Sequence, residues 1–159
     1  MTSIAWDRKI LAADGRATAG NKLGSDDKVK IVMDGKSIVR GSKVICYTLC
    51  GRADLYVRIG DWIKEGCPVT EEFKEMEFGV LIITEDAVYD YGEGSHDIYQ
   101  IEGIECLGSG GEFAHSAIMF GKNAIEAVQH AAKIDIYSGG KGAYVDCRSG
   151  NPVLKRFDT

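Results

Sequence analysis

The stretch MTSIAWDRKILAADG, residues 1–15, decides the fold of this chain. Ser3–Asp7 and Lys9–Ala13 are two short apolar segments, and the reversal between them predicts a pair of short strands. Thr2 precedes the first strand, and an acidic turn at Asp14-Gly15 follows the second. The chemistry of the chain is therefore sought around this first pair of strands.

Thr2 is a candidate nucleophile because of its place in the chain. A small residue after the initiator methionine normally leads to removal of Met1, which leaves Thr2 with a free α-amine. A threonine hydroxyl is a weak nucleophile by itself, but a terminal threonine carries its own general base in that amine. An α-amine titrates at about 7.7–8.0, close to the pH at which a base must work. The alternative is that Thr2 is an ordinary N-terminal residue.

Length and composition limit the classes of protein. The 159 residues predict one domain, spanning 1–159, that is large enough to bury a core. With 45% hydrophobic and 27% charged residues, the composition is that of a globular protein. A net charge of −5 with interleaved signs argues against nucleic-acid binding, and the apolar runs are too short to span a membrane. Because no secretory signal is visible, we expect a cytoplasmic protein.

The cysteines and histidines do not predict a metal site. The cysteines are odd in number and scattered, which indicates free buried thiols in an intracellular chain. The three histidines stand singly, far from the usual spacing of zinc ligands. The members of the two sets are Cys46, Cys50, Cys67, Cys106, Cys147, His96, His115 and His130.

The periodicity predicts an α+β fold. A period near 3.6 predicts helices at 53–66, 112–120 and 124–134, the last capped by Asn123 with Glu126 three residues on. Strands arranged as hairpins, with helices between sheet segments, argue for a layered α+β architecture and against a parallel sheet. An exposed polar tail is expected at the C-terminus. The further strands are predicted at Lys28–Met33, Lys43–Leu49, Gly79–Thr84, Ala87–Tyr91, Asp97–Glu105 and Gly142–Cys147.

Five segments, taken in order, carry a family resemblance. Each alone has an ordinary explanation, such as a turn or a helix-capping loop. Together they resemble the N-terminal-nucleophile hydrolases of the proteasome β-subunit and HslV peptidase family, from Thr2 to Cys147. The small size and the opening Thr2–Asp7 look most like the short HslV-type members encoded by bacteriophages and prophages. The segments are Thr2-Ser3-Ile4, Ala12–Thr18, Asp27-Lys28-Val29, Leu107–Gly111 and Asp135–Gly140.

The resemblance implies a four-layer αββα sandwich and a set of catalytic roles. Thr2 would attack through its hydroxyl, with its amine as the proton acceptor. Lys28 matches the active-site lysine of the family, and Asp14 is the acid expected to pair with it. An ammonium beside the amine would keep the amine neutral. Three residues match the cluster that orients the amine, namely Ser109, Asp135 and Ser138.

Two departures from the family concern the oxyanion hole and a loop. The backbone N–H groups at Cys50 and Gly51 would stabilise the tetrahedral intermediate. Family members usually carry two glycines there, so a positive φ at Cys50 would be strained. The spacing from Asp14 to Lys28 is also a few residues shorter than in HslV. Residues that match the walls of the substrate pocket are Ala17, Thr48 and Arg52, and the arginine would favour an acidic or polar substrate side chain.

The resemblance implies a threonine-type peptidase that needs no metal or organic cofactor. Its relatives form closed homo-oligomeric rings, so we expect a hexamer or a stacked dodecamer with heterologous interfaces. Relatives receive unfolded protein or peptide substrate from an AAA+ ATPase unfoldase, although no docking tail is recognisable here. If the chain is phage-encoded, its place is the cytoplasm of the bacterial host.

Two other functions stay open at this point. The first is a catalytically weak ring that acts as a scaffold or as an inhibitor of a host protease, which Cys50 and the short loop would favour. The second is an amidohydrolase of the same fold that acts on a small amide. The matching cluster of Ser109, Asp135 and Ser138 argues for retained hydrolysis over the scaffold.

Overall fold

The computed structural model describes residues 2–159, whose contacts divide into two compact units. The first unit joins the chain up to Ile31 to residues 103–159, and the second is Val32–Glu102. The strands are β1 (Ile4–Trp6), β2 (Ile10–Ala13), β3 (Ala17–Ala19), β4 (Lys22–Ser25), β5 (Ile31–Met33), β6 (Ile38–Val39), β7 (Ser42–Gly51), β8 (Phe78–Thr84), β9 (Val88–Gly92), β10 (Tyr99–Ile101), β11 (Glu105–Leu107), β12 (Lys141–Asp146) and β13 (Leu154–Asp158). The helices are α1 (Tyr56–Lys64), α2 (Gly111–Met119) and α3 (Ala124–Ala132), with a 3₁₀ turn at Ala53–Leu55.

The first unit is built on a five-stranded antiparallel sheet. Its strand order is β11-β1-β2-β12-β13, so the hairpin of β1 and β2 lies between strands from the far end of the chain. Ile4 faces Ala13 across the hairpin, which places the residues just outside it, Ser3 and Asp14, next to each other. Indeed, the N–H of Asp14 donates to the carbonyl of Ser3 at 3.0 Å.

Helices α2 and α3 pack on this sheet through small side chains. Alanine allows a helix backbone to come close to a sheet, and the contact is made almost wholly of alanines. Asn123 caps α3 in a capping box with Glu126, as the sequence predicted. Asp7, in the turn after β1, also accepts from the N–H of Ala124 at 2.8 Å, and so ties the start of α3 to the sheet. The packed residues are Ala5, Ala12, Ala114, Ala117, Ala124, Ala127, Val128 and Ala131.

The second unit contains the sheet β10-β9-β8-β7-β5, with β6 paired to β7. Its core centres on Trp62 of α1, whose ring lies 4.5 Å from that of Tyr91 and 5.8 Å from that of Phe73. The strand β8 is buried at every residue, as expected for its continuous apolar sequence. No helix within residues 2–159 has the length and apolarity to cross a membrane.

The α+β class, the hairpins and the three helices are as the sequence predicted. Four strands were not predicted, namely β3, β4, β6 and β13. The hairpin of β3 and β4 is largely exposed, so it has no hydrophobic alternation to reveal it. The C-terminal residues, expected to be an exposed tail, form β13 and pair with β12 from Leu154 to Asp158.

Candidate active site

Thr2 is held just before β1 and is only 3% exposed. Its carbonyl accepts from the N–H of Gly110 at 3.2 Å. Gly108, at φ +87°, passes so close that a Cβ there would lie 2.1 Å from the same carbonyl oxygen. Only glycine fits this position. The loop before α2, which the sequence singled out, therefore fixes the backbone of Thr2.

The carboxylate of Asp14 accepts hydrogen bonds from the residues before β1 and from the segment before β12. Its Oδ1 accepts from the hydroxyl of Thr2 and from the N–H of Ser3, the latter at 3.0 Å. Its Oδ2 accepts from the N–H of Gly139 at 2.9 Å. The side chain has no exposed surface.

The lysine at this site is Lys30, which corrects the prediction of Lys28. The Nζ of Lys30 lies 2.6 Å from Oδ1 of Asp14 and donates to the hydroxyl oxygen of Thr2. Lys28 instead donates its backbone N–H to the carbonyl of Gly15 at 2.9 Å, and its side chain is half-buried. The two lysines alternate with Val29, so in an extended segment both point to one side, and the sequence does not say which is buried.

The sequence prediction placed the lysine at Lys28 and so inferred a loop shorter than that of HslV. With Lys30 at the site, this difference in length becomes smaller. Asp14 and its lysine are separated by 16 residues in the chain, two more than the prediction assumed. Thr2, Asp14 and Lys30 form a closed triangle of hydrogen bonds: the hydroxyl donates to the carboxylate and accepts from the ammonium. Such a hydroxyl is oriented and lies next to a fixed positive charge.

Ser109, Asp135 and Ser138 form the second cluster, and the structure brings them together as predicted. Both hydroxyls donate to Oδ2 of Asp135 at 2.6 Å. Burial would raise the pKa of Asp135, but the hydrogen bonds from the two serines and from the N–H of Tyr137 lower the pKa below its ordinary value. Asp135 is therefore an ionised acceptor at neutral pH.

Ser3 and Gly139 join the two clusters. The hydroxyl of Ser3 lies 2.6 Å from that of Ser138, while its backbone N–H reaches Asp14. Gly139 follows Ser138 and also donates to Asp14. A functional role for Ser3 was not predicted, because its hydroxyl looks like that of any strand serine until the fold places Ser138 beside it.

The sequence also did not predict the hydrogen bonds of Arg16 to Asp26 and Ile136, which together are called the Arg16 clamp. Its guanidinium forms two hydrogen bonds with Asp26, from Nε at 2.7 Å and Nη2 at 3.3 Å, and donates to the carbonyl of Ile136 at 3.2 Å. The hydrogen bond from Arg16 lowers the pKa of Asp26. The clamp thereby connects the chain after Asp14 to the segment that carries Asp135 and Ser138.

The predicted oxyanion residues, Cys50 and Gly51, end β7 in the second unit. The positive φ falls on Gly51, at +98°, and Cys50 is not among the non-glycine residues with positive φ in residues 2–159. The strain expected at Cys50 is therefore not found. A Cβ at Gly51 would lie 2.7 Å from the carbonyl of Glu77, so glycine is required at this position alone.

The predicted pocket residues differ in their surroundings. Thr48 was predicted to line the substrate pocket, and in this structure it is fully buried. Arg52 is half-exposed, but its guanidinium forms two hydrogen bonds with Asp54, which offsets the charge expected to select acidic side chains. Ala17 is half-buried in β3. The predicted removal of Met1 lies outside the described residues.

The comparison with known proteins finds matches among solved structures but none among family models or curated proteins. No protein-family model matches the chain, and no curated protein matches it. Among solved structures, the chain is similar to Thiobacillus denitrificans BPH, a bacterial proteasome homologue, with a TM-score of 0.61. The match covers 99% of this chain and 97% of that one at 15% identity. At this identity the likeness shows a shared fold.

Proposed function

We propose that the chain is a threonine-type peptidase in which Thr2, freed by removal of Met1, attacks peptide bonds. The observation that carries this proposal is the hydroxyl of Thr2, buried and hydrogen-bonded to both Asp14 and Lys30. A buried carboxylate–lysine pair is costly to build, and here it is directed at a single hydroxyl. An ordinary N-terminal threonine needs no such surroundings.

In the proposed reaction, several residues of the first unit have separate chemical roles. While Met1 is attached, the nitrogen of Thr2 is an amide and cannot accept a proton. Once free, the amine takes the hydroxyl proton as the oxygen attacks, and it later protonates the leaving amine. Lys30 places a positive charge that favours the neutral amine, and Asp14 holds Lys30 in place. The cluster of Asp135, Ser109 and Ser138 binds the amine.

Backbone N–H groups stabilise the tetrahedral intermediate of acyl transfer, and Cys50 and Gly51 remain the residues predicted for this role. Because the positive φ lies on Gly51, the cysteine does not argue against turnover. The scaffold alternative rested on Cys50 and on the short loop. Both arguments weaken, because the positive φ lies on Gly51 and the lysine beside Asp14 is Lys30. The peptidase is therefore the better supported of the two functions.

The fold likeness to a bacterial proteasome homologue supports an assembled enzyme. We extend the proposal to a four-layer αββα arrangement and to a closed homo-oligomeric ring, a hexamer or stacked dodecamer, that hides the sites. Unfolded protein delivered by an AAA+ ATPase in the cytoplasm would be its substrate. No metal or organic cofactor is required by these steps.

The test is the intact mass of the protein before and after treatment with a peptide epoxyketone. This reagent needs a nucleophilic hydroxyl and a free amine on one residue. We expect loss of the Met1 mass and one adduct that maps to Thr2, with no adduct on Thr2→Ala. Loss of Met1 without an adduct on the wild-type protein would contradict the peptidase and favour a ring without chemistry.

A further inference from the structure

Ser3 stands between the two clusters and has no role in the reaction described so far. Its side chain is fully buried, and its hydroxyl lies 2.6 Å from the hydroxyl of Ser138. The contact is tight, since a Cβ on Gly110 would lie 1.7 Å from Oγ of Ser3. A serine held this closely has one orientation, so its hydrogen bond can be assigned.

The direction of the hydrogen bond follows from counting protons. A carboxylate only accepts, so Ser138 must donate its single proton to Oδ2 of Asp135, 2.6 Å away. Ser109 donates to the same oxygen. Ser138 has no second proton for its contact with Ser3, and therefore Ser3 is the donor there.

This leaves the hydroxyl oxygen of Ser138 with one unoccupied acceptor position. A hydroxyl oxygen accepts two hydrogen bonds, and Ser3 occupies one of the two positions. The proposed function gives the other position to an N–H of the freed amine of Thr2. An amine whose N–H donates to a single acceptor keeps its own lone pair for the hydroxyl proton.

We propose that Ser3 is a positioning residue, whose hydroxyl donates to Ser138 and so leaves a single acceptor site for the amine of Thr2. The inference rests on the proposed function and deepens it. Ser3 also donates its backbone N–H to Asp14, so one residue aligns the group that binds the amine and the group that binds the hydroxyl. Neither contact reaches a substrate, because Ser3 has no exposed surface.

The experiment compares the kinetics of epoxyketone adduct formation across variants of Ser3. Ser3→Ala removes the donor, Ser3→Cys keeps a similar volume with a weak donor, and Ser3→Thr keeps the hydroxyl. Ser42→Ala is the matched control, since Ser42 is a buried serine of the second unit that accepts from the N–H of Asp86. Thermal unfolding and native mass are recorded for each protein.

We expect the maximal inactivation rate to fall about tenfold in the Ala and Cys variants, which corresponds to one lost hydrogen bond. The inhibitor constant KI of the Ala and Cys variants should stay at the wild-type value. The Ser3→Thr variant and the Ser42→Ala control should keep both the wild-type rate and the wild-type KI. If Ser3→Thr does not fold, the slowed and folded Cys variant alone supports the proposal.

A Cys variant as fast as wild type would overturn the inference and show that volume alone matters. A loss expressed in KI would overturn it too. If wild type itself forms no adduct at Thr2, the proposed function fails, and the positioning role fails with it. An adduct on wild type with unchanged rates in all variants removes only the role of Ser3.

Discussion

The Nζ of Lys30 lies 2.6 Å from Oδ1 of Asp14, and the two side chains are 6% and 0% exposed. An ion pair removed from water this completely gains little net stability, because desolvation offsets the attraction. Losing one partner is a different matter, since the other charge is then buried alone. The pair is best understood as a device that places charge at Thr2, and it makes Lys30 more sensitive to substitution than any surface lysine.

Replacing Lys30 by Met should abolish adduct formation and destabilise the fold. The buried charge of Asp14 would be left unpaired, at a cost of roughly 3–5 kcal/mol in the free energy of unfolding. Lys28→Met is the matched control, with an expected cost under about 1 kcal/mol because Lys28 is only half-buried. Urea unfolding and epoxyketone labelling measure the two effects.

A double variant separates chemistry from stability at the same site. Lys30→Met with Asp14→Asn removes both charges, so it should recover part of the lost stability while adduct formation stays at least about a hundredfold slower. If Lys28→Met were instead the variant that lost labelling, the assignment of the active-site lysine to Lys30 would be wrong.

The turn at the end of β7 gives a second prediction. Cys50→Ala should leave peptide hydrolysis within about twofold of wild type, because only the backbone N–H is used. Gly51→Ala should destabilise the fold by roughly 1–3 kcal/mol, since the new Cβ meets the carbonyl of Glu77 at a positive φ. A harmful Cys50→Ala with a harmless Gly51→Ala would refute this account of the turn.

Asp135 gives a prediction for pH. Its pKa is lower in the folded protein than the ordinary 3.8, so its contribution to stability is complete above that value and is lost as the pH falls through the folded pKa. Wild type should therefore lose stability below about pH 4 more steeply than Asp135→Asn. Unfolding free energies of both proteins from pH 6 to pH 3 measure this. Parallel curves would mean that the serines do not stabilise the ionised form.

Arg16 should control the order of segment 135–141 more than the stability of the whole chain. Its ion pair with Asp26 is partly exposed, so Arg16→Ala should cost under about 1 kcal/mol in the free energy of unfolding. Loss of the bond to the carbonyl of Ile136 should raise amide hydrogen exchange in that segment. Arg52→Ala is the control, because its partner Asp54 is local. Equal exchange in both variants would exclude the clamp.

The fold was readable where burial leaves a pattern in the sequence. Helix α3 shows both its apolar period and its capping box, and β8 is a continuous apolar run. The hairpin of β3 and β4 leaves no pattern, because its residues are mostly exposed. Such strands are set by hydrogen bonds of the backbone, which every residue can make.

The site was readable by residue type but not always by position. Asp14, Ser109, Asp135 and Ser138 lie in turns with distinctive neighbours, and the structure groups them into two clusters. Lys30 was missed because alternation puts it on the same side as Lys28 and nothing local distinguishes the two. Only the distance across the first unit to Asp14 selects one of them.

The strand order of the first unit also means that neighbouring strands of its sheet are synthesised at very different times. The hairpin of β1 and β2 emerges first, but its outer partners, β11 and β12, begin at residues 105 and 141. Ser138 follows its partner Ser3 by 135 residues, and Gly139 follows its partner Asp14 by 125. A nascent chain thus carries Thr2 long before it carries the groups that surround Thr2 in the folded structure. If Thr2 acts as proposed, a growing chain cannot hydrolyse peptides before these groups have been made.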